Sequence, residues 1–148
     1  MAQPFNEVQT AIVTALRADV PVRTSLPGSQ SPNWNILDHV PATQIYPYIY
    51  VGDIQGAIGS TLAMGPNGKA TDLLVTLHIF SQYNGWKEVQ GIVSAIDNVL
   101  NEKNLALANG FTWFFCLFDN FIPVPEDDQG INDITRHGAL RYRIKTQG

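Results

Sequence analysis

Charge is scarce in this 148-residue chain: Asp, Glu, Lys and Arg make up only 15% of it, against about 25% in ordinary globular domains. Apolar residues reach 45%, and a surface so poor in charge is that of a protein with partners. Basic residues are the scarcer sign. Nine Lys and Arg stand against thirteen Asp and Glu, for a net charge of -4 and a pI near 5.1. No overall field therefore draws the chain to nucleic acid or to an anionic membrane, and only a local basic stripe is left for such contacts. A single cysteine, Cys116, excludes an intramolecular disulfide and a cysteine-based zinc site. Set in the run Trp113-Phe114-Phe115-Cys116-Leu117-Phe118, it reads as a small buried hydrophobe. No window approaches the ~20 apolar residues of a membrane helix. The first seven residues carry neither the basic region nor the apolar stretch of a signal peptide, so the expected site of synthesis and residence is the cytoplasm, unless a particle carries the protein out. The length fits one domain, spanning 1–148.

Catalytic motifs are also missing. Gly68-Lys69-Ala70 lacks the upstream glycine and the following hydroxyl of a phosphate-binding loop. Gly52, Gly56 and Gly59 are wrongly spaced for a dinucleotide fingerprint and no helical stripe follows them. His39, His78 and His137 lie far apart and form no short metal-ligand pattern, so each reads as an exposed or hydrogen-bonded structural residue. Ser60 or Ser81 with a histidine and Asp53 or Asp72 would make a nucleophilic triad on paper, but no strand-elbow-helix motif surrounds either serine. Glu126, Asp127, Asp128 and Asp133 offer carboxylates to calcium without the spacing of an EF-hand loop; the other reading is a solvated loop between strands.

What is present is periodicity. Phe5, Val8, Ile12 and Leu16 recur at helical spacing, with Glu7 in the first turn and Arg17 in the last, which predicts a helix over 4–18. Pro21, Pro27, Gly28 and Pro32 predict an irregular connection up to Asn35, followed by a short extended piece over 34–40. The aromatic and β-branched stretch 47–53 reads as a strand. So does 73–80, where Leu73, Val75, Leu77 and Ile79 alternate with Thr76 and His78. Between them, 55–71 carries Gly56, Gly59, Gly65 and Gly68 with almost no charge and predicts a long glycine-rich loop. Trp86, Val89, Ile92, Val93, Ile96, Val99 and Leu100 form a second helical stripe, with Glu88 near its start and Lys103 near its end. A strand region over 105–121, broken by a hairpin-type turn at Asn109-Gly110, comes next. In the last strand, 135–146, Leu140, Tyr142 and Ile144 alternate with Arg141, Arg143 and Lys145, a packed face backed by a basic stripe. That stripe suits a phosphate or acidic partner, or is the solvent face of a terminal strand. The order predicts an α+β fold: a mainly antiparallel sheet of four to five strands with two main helices on one face.

Four segments carry a resemblance: Asp38-His39-Val40-Pro41; 46–53; Leu77-His78-Ile79-Phe80-Ser81 with Gly85 and Lys87-Glu88; and 135–143. In this order they resemble the small siphophage tail-completion family of tail terminators and tail-to-head joining proteins. Longer segments at 23–34, 55–71 and 111–121 depart from that pattern. The resemblance implies a virion protein with no catalytic, cofactor or metal residues. It implies a ring, commonly a hexamer, at the neck, capping the tail tube and docking the head connector. Its implied partners are further copies of the chain, the tail tube protein and the head completion protein, with DNA only passing through the lumen and no membrane. Two surfaces are then candidate assembly contacts. One is the glycine-rich loop, at Gly56, Gly59, Met64, Gly65 and Lys69, lining the lumen or entering an adjoining ring. The other is the basic stripe Arg136, Arg141, Arg143 and Lys145. The alternatives from other classes are a small hydrolase or nucleotide-binding enzyme using His78 or His137 with nearby carboxylates, and a binding module reading an acidic partner.

Overall fold

The computed structural model describes residues 4–58, 70–124 and 135–147. Helix α1 (Phe5–Ala18) buries Val8, Ile12, Val13 and Leu16, the stripe its spacing predicts, and keeps Glu7 and Arg17 at the ends that suit its dipole. Arg17 is more than a dipole partner. Its Nη2 and Nε donate to the Ile36 carbonyl at 2.7 and 3.0 Å, tying the helix to the sheet edge.

The chain turns extended at Asp19 and then forms one more short helix, α2 (Val20–Thr24), where an irregular connection was expected. Pro21 sits in the first turn, where its missing N–H removes no intrahelical bond. The Asp19 carboxylate accepts from Val22 N at 3.1 Å and caps the free amides.

Five strands form one sheet in the order β1-β2-β3-β5-β4: β1 (Ile36–Leu37), β2 (Tyr48–Ile58), β3 (Ala70–Ser81), β4 (Thr112–Val124) and β5 (Arg136–Gln147). The short β1 pairs parallel with β2 at Ile36 and Leu37, and all other pairs are antiparallel. Helix α3 (Lys87–Leu100) lays Val89, Ile92, Ile96 and Leu100 on the sheet beside α1. Leu73, Val75, Leu77 and Ile79 of β3 and Leu140, Tyr142 and Ile144 of β5 meet them, each 3% exposed or less. At about 1.5–3 kcal/mol for each fully buried large apolar side chain, this single layer of contacts is the main source of stability. Both helices take the same face of the sheet, and among the described residues nothing covers the other.

Several boundaries differ from the expected ones. Gln55 to Ile58 and Ala70 to Thr71 are paired strand, with Ile58 opposite Thr71, so only 59–69 remain to link β2 and β3. The weak β-propensity of Gly56 is overridden by cross-strand pairing. Asn109 (φ 60°) and Gly110 (φ 80°) do form a turn, closed by Phe111 N donating to the Ala108 carbonyl at 3.4 Å. No strand precedes it, because Leu105 and Leu107 pack down on the core instead. Lys103 lies past the end of α3, whose last turn has no basic residue. Strand β5 is interior, flanked by β3 and β4, and not the sheet's edge.

Candidate assembly surface

The uncovered face is set by strand alternation. Register places Tyr48, Phe80, His137 and Val124 in one row across β2, β3, β5 and β4, then Tyr50, His78, Ala139 and Ile122, then Gly52, Thr76, Arg141 and Asn120. Beyond them come Gln55, Leu74, Arg143 and Leu117, and finally Asp72, Lys145 and Phe115. One end of the face is thus aromatic and imidazole, the other basic and apolar.

At the aromatic end the rings stack across strands: Tyr48 on Phe80 at 4.9 Å, Phe80 on His137 at 4.2 Å, and Tyr50 on His78 at 5.8 Å between centroids. A polar chain threads this wall. His78 Nε2 lies 2.6 Å from Asp53 Oδ2, and His78 Nδ1 lies 2.8 Å from His137 Nε2. Asp53 reaches inward from a bulge between Gly52 and Ile54, with φ 53°, a left-handed conformation that Asp tolerates better than most residues. His78 and His137, which read as separate residues in the sequence, are therefore one cluster; being 59 positions apart, they are joined only by the β3–β5 register.

The arrangement does not make a hydrolytic triad. The group beyond His78 is a second imidazole, and Ser81 points to the other side of the sheet, where its fully buried hydroxyl donates to Glu88 Oε1 at 2.6 Å. Cys116 is fully buried and burial pushes its thiol up to about 12, well away from nucleophile chemistry. Burial, and then the 2.8 Å bond its hydroxyl donates to Asp97 Oδ1, likewise raise the Tyr142 phenol above its ordinary value.

The basic stripe does not act as one unit. Lys145 is buried, with Nζ 3.1 Å from Asp72 Oδ1 and 6.0 Å from the Phe115 ring. Arg136 turns away, donating to the Asn84 carbonyl at 2.8 Å and lying 5.6 Å above Trp86. Arg141 is half-buried and Arg143 is exposed. Only Arg143 offers a whole guanidinium to a partner. Of the loop residues, Gly56 lies in β2 beneath the Phe5 ring, whereas Gly59, Met64, Gly65 and Lys69 fall outside the described residues, as do Ser60 and the acidic segment 126–133. His39 is exposed, in the link between β1 and β2.

Strand β4 holds what the sequence reading missed. Phe115, Leu117 and Ile122 on the uncovered face are 37%, 43% and 41% exposed, and Phe118 at the outer edge is 46% exposed. The sign was there: 113–118 is apolar at consecutive positions, so a strand through it must show apolar groups on both faces. The outer edge is itself guarded. Glu102 N donates to the Cys116 carbonyl at 2.8 Å and Phe118 N donates to Asn101 Oδ1 at 3.0 Å. Two bulges and Pro123 break the remaining ladder. A partner of β4 thus meets its side chains and not its backbone. A recess of about 390 Å³ adjoins this area, between Gln55, Gly56, Asp72, Leu74, Asp119 and Arg143.

No three-membered cluster of metal-ligating side chains occurs among the described residues, and no helix among them is long and apolar enough to cross a membrane. No curated protein sequence matches the chain. The fold is similar to that of a chain in the structure of the virion of a native gene transfer agent particle, with 17% identity, a TM-score of 0.80 and all of both chains covered. Residues 10–147 match the model of the family described as tail completion protein gp17. That match takes in every strand, α2, α3 and most of α1: the chain belongs to the tail completion protein gp17 family and is a structural protein of a phage-type virion tail.

Proposed function

We propose that this chain is the ring subunit that ends the tail tube at the head–tail junction and joins it to the head connector. The observation that carries the reading is the apolar row Phe115, Leu117 and Ile122 on a sheet face that no helix among the described residues covers. A closed ring of identical subunits needs two different lateral faces on each, meeting head to tail, and the apolar side chains of β4, whose outer edge is partly capped, suit one such face. Low overall charge suits the same use. The DNA of the particle crosses the lumen without being read, consistent with a net charge of -4. Catalysis has no part in this role.

Further copies of the chain, the tail tube protein and the connector are its partners in this reading, with 59–69 and Arg143 as contacts to the adjoining rings. The test is to supply the purified protein to particles lacking it and to count joined tails by negative-stain microscopy. Protein without 59–69, bridged by a two-residue turn from Ile58 to Ala70, should fold and yet leave heads and tails separate. Joined particles at the normal yield would remove the loop from the interface. Wild-type protein that never associates with tail tubes would sink the reading as a whole.

A further inference from the structure

We infer that His78 and His137 form a two-point binding site for a divalent, imidazole-seeking metal ion, held ready by Asp53. Two nitrogens from different strands, His78 Nδ1 on β3 and His137 Nε2 on β5, converge to 2.8 Å on the uncovered sheet face. The other nitrogen of His78 is engaged by the Asp53 carboxylate at 2.6 Å. A carboxylate only accepts, so it fixes the proton on Nε2 and leaves the Nδ1 lone pair directed at His137. This is the carboxylate–histidine arrangement that orients metal-binding imidazoles and raises their basicity. Asp53 holds it from a left-handed backbone conformation (φ 53°) at a bulge, a strained position that ordinary sheet pairing does not require. Tyr50 stacks on His78 and Phe80 on His137, and the His78 side chain keeps 17% of its surface open to solvent.

With metal–nitrogen bonds of about 2.0–2.1 Å, two ligands at a tetrahedral angle stand roughly 3.3 Å apart and two ligands at right angles roughly 2.9 Å apart. The 2.8 Å between the two nitrogens is that of the hydrogen bond they share, and it lies nearer the right-angled pair, which asks the smaller displacement of the rings. Right-angled nitrogen ligands are those of square or tetragonal Cu(II) and Ni(II) sites, so these ions fit better than tetrahedral zinc. Binding requires His137 to carry its proton on Nδ1 and both rings to swing so that their lone pairs meet at the ion instead of each other; no net proton is lost from two neutral imidazoles. Among the described residues no third metal-ligating side chain joins the pair. The bound ion would staple β3 to β5 across the uncovered face.

The test uses tag-free protein with Ni(II) by calorimetry and Cu(II) by electron paramagnetic resonance at pH 7.5. One saturable ion per chain is expected, with a two-imidazole nitrogen pattern in the copper spectrum and a rise in melting temperature on adding Ni(II). His78→Gln and His137→Gln should each weaken binding at least ~100-fold. Asp53→Asn should weaken it about 10- to 100-fold, as for other supporting carboxylates, and His39→Gln should leave it unchanged. Circular dichroism of each variant separates lost binding from lost folding. Wild-type affinity retained in folded His137→Gln, binding that depends on His39, or no saturable binding to the wild type would each overturn the inference. None of these outcomes bears on whether the chain forms a neck ring.

Discussion

Replacing Ile122 by Asp tests the β4 surface at the point where a charge has least chance of rescue. Leu117 is a poorer choice because it pairs across the sheet with Arg143, which would neutralise a new carboxylate; Ile122 pairs with Ala139. In the free chain Ile122 is 41% exposed on an edge strand, so Ile122→Asp gives up the burial of the other three-fifths, roughly 0.9–1.8 kcal/mol of folding stability, with up to about 1 kcal/mol more from strand propensity. In a ring the consequence is larger. Burying the remaining two-fifths of an Ile contributes roughly 0.6–1.2 kcal/mol per contact, taken from 1.5–3 for the whole side chain. Ile122→Ala should therefore weaken each subunit contact about three- to eightfold. The Asp variant must in addition desolvate an unpaired carboxylate, which adds several kcal/mol. A contact weakened by 3 kcal/mol or more is over ~100-fold weaker, enough to prevent closure. Urea denaturation measures the first quantity; negative-stain counts of rings on tail tubes and of joined particles measure the second. Normal folding with assembly lost is the expected result. Rings at wild-type yield from Ile122→Asp would refute the assignment of this face to a subunit contact.

Charge reversal at the exposed Arg143 should leave folding intact and weaken assembly more at low salt than at high salt. Arg141→Glu should also destabilise the free chain, because its Nε is buried, which makes Arg143→Glu the cleaner assembly test. Tyr142→Phe removes a hydrogen bond to the Asp97 carboxylate and should cost about 1.5 kcal/mol in urea denaturation, the low end for bonds to charged groups since Asp97 is only half-buried. The thiol and phenol of Cys116 and Tyr142 are both held above their ordinary values in the folded chain. The unfolded chain therefore ionises first as pH rises, and stability, intact below about pH 8.5, should fall above it by up to ~1.4 kcal/mol per unit from the thiol and, above about pH 10, by up to as much again from the phenol. Cys116→Ala should remove the thiol's share of that slope, and a slope unchanged by it would count against the burial explanation. Thiol reagents should label Cys116 only on unfolding.

Much of this protein was legible in the residues themselves, because local periodicity reports which face of an element is buried. Val8, Ile12 and Leu16 at helical spacing place α1, and Val89, Ile92 and Ile96 place α3. Alternation at Leu73–Ile79 and Leu140–Ile144 orients β3 and β5 toward the helices. Four ordered segments pointed to the tail-completion family, and the family match bears that out. Whatever depends on register between distant strands had no local sign. The meeting of His78 with His137 and the pairing of Lys145 with Asp72 follow from β5 lying beside β3, whereas Arg136 parts from the other cations by alternation alone, standing at an even position of β5 as Leu140 and Tyr142 do. A two-residue period tells each strand which side is in, but not which neighbour it will have. The packing of the helices likewise decided the exposure of β4: both lie on the other face of the sheet, so Phe115, Leu117 and Ile122, which β4 turns away from them, are left for a partner.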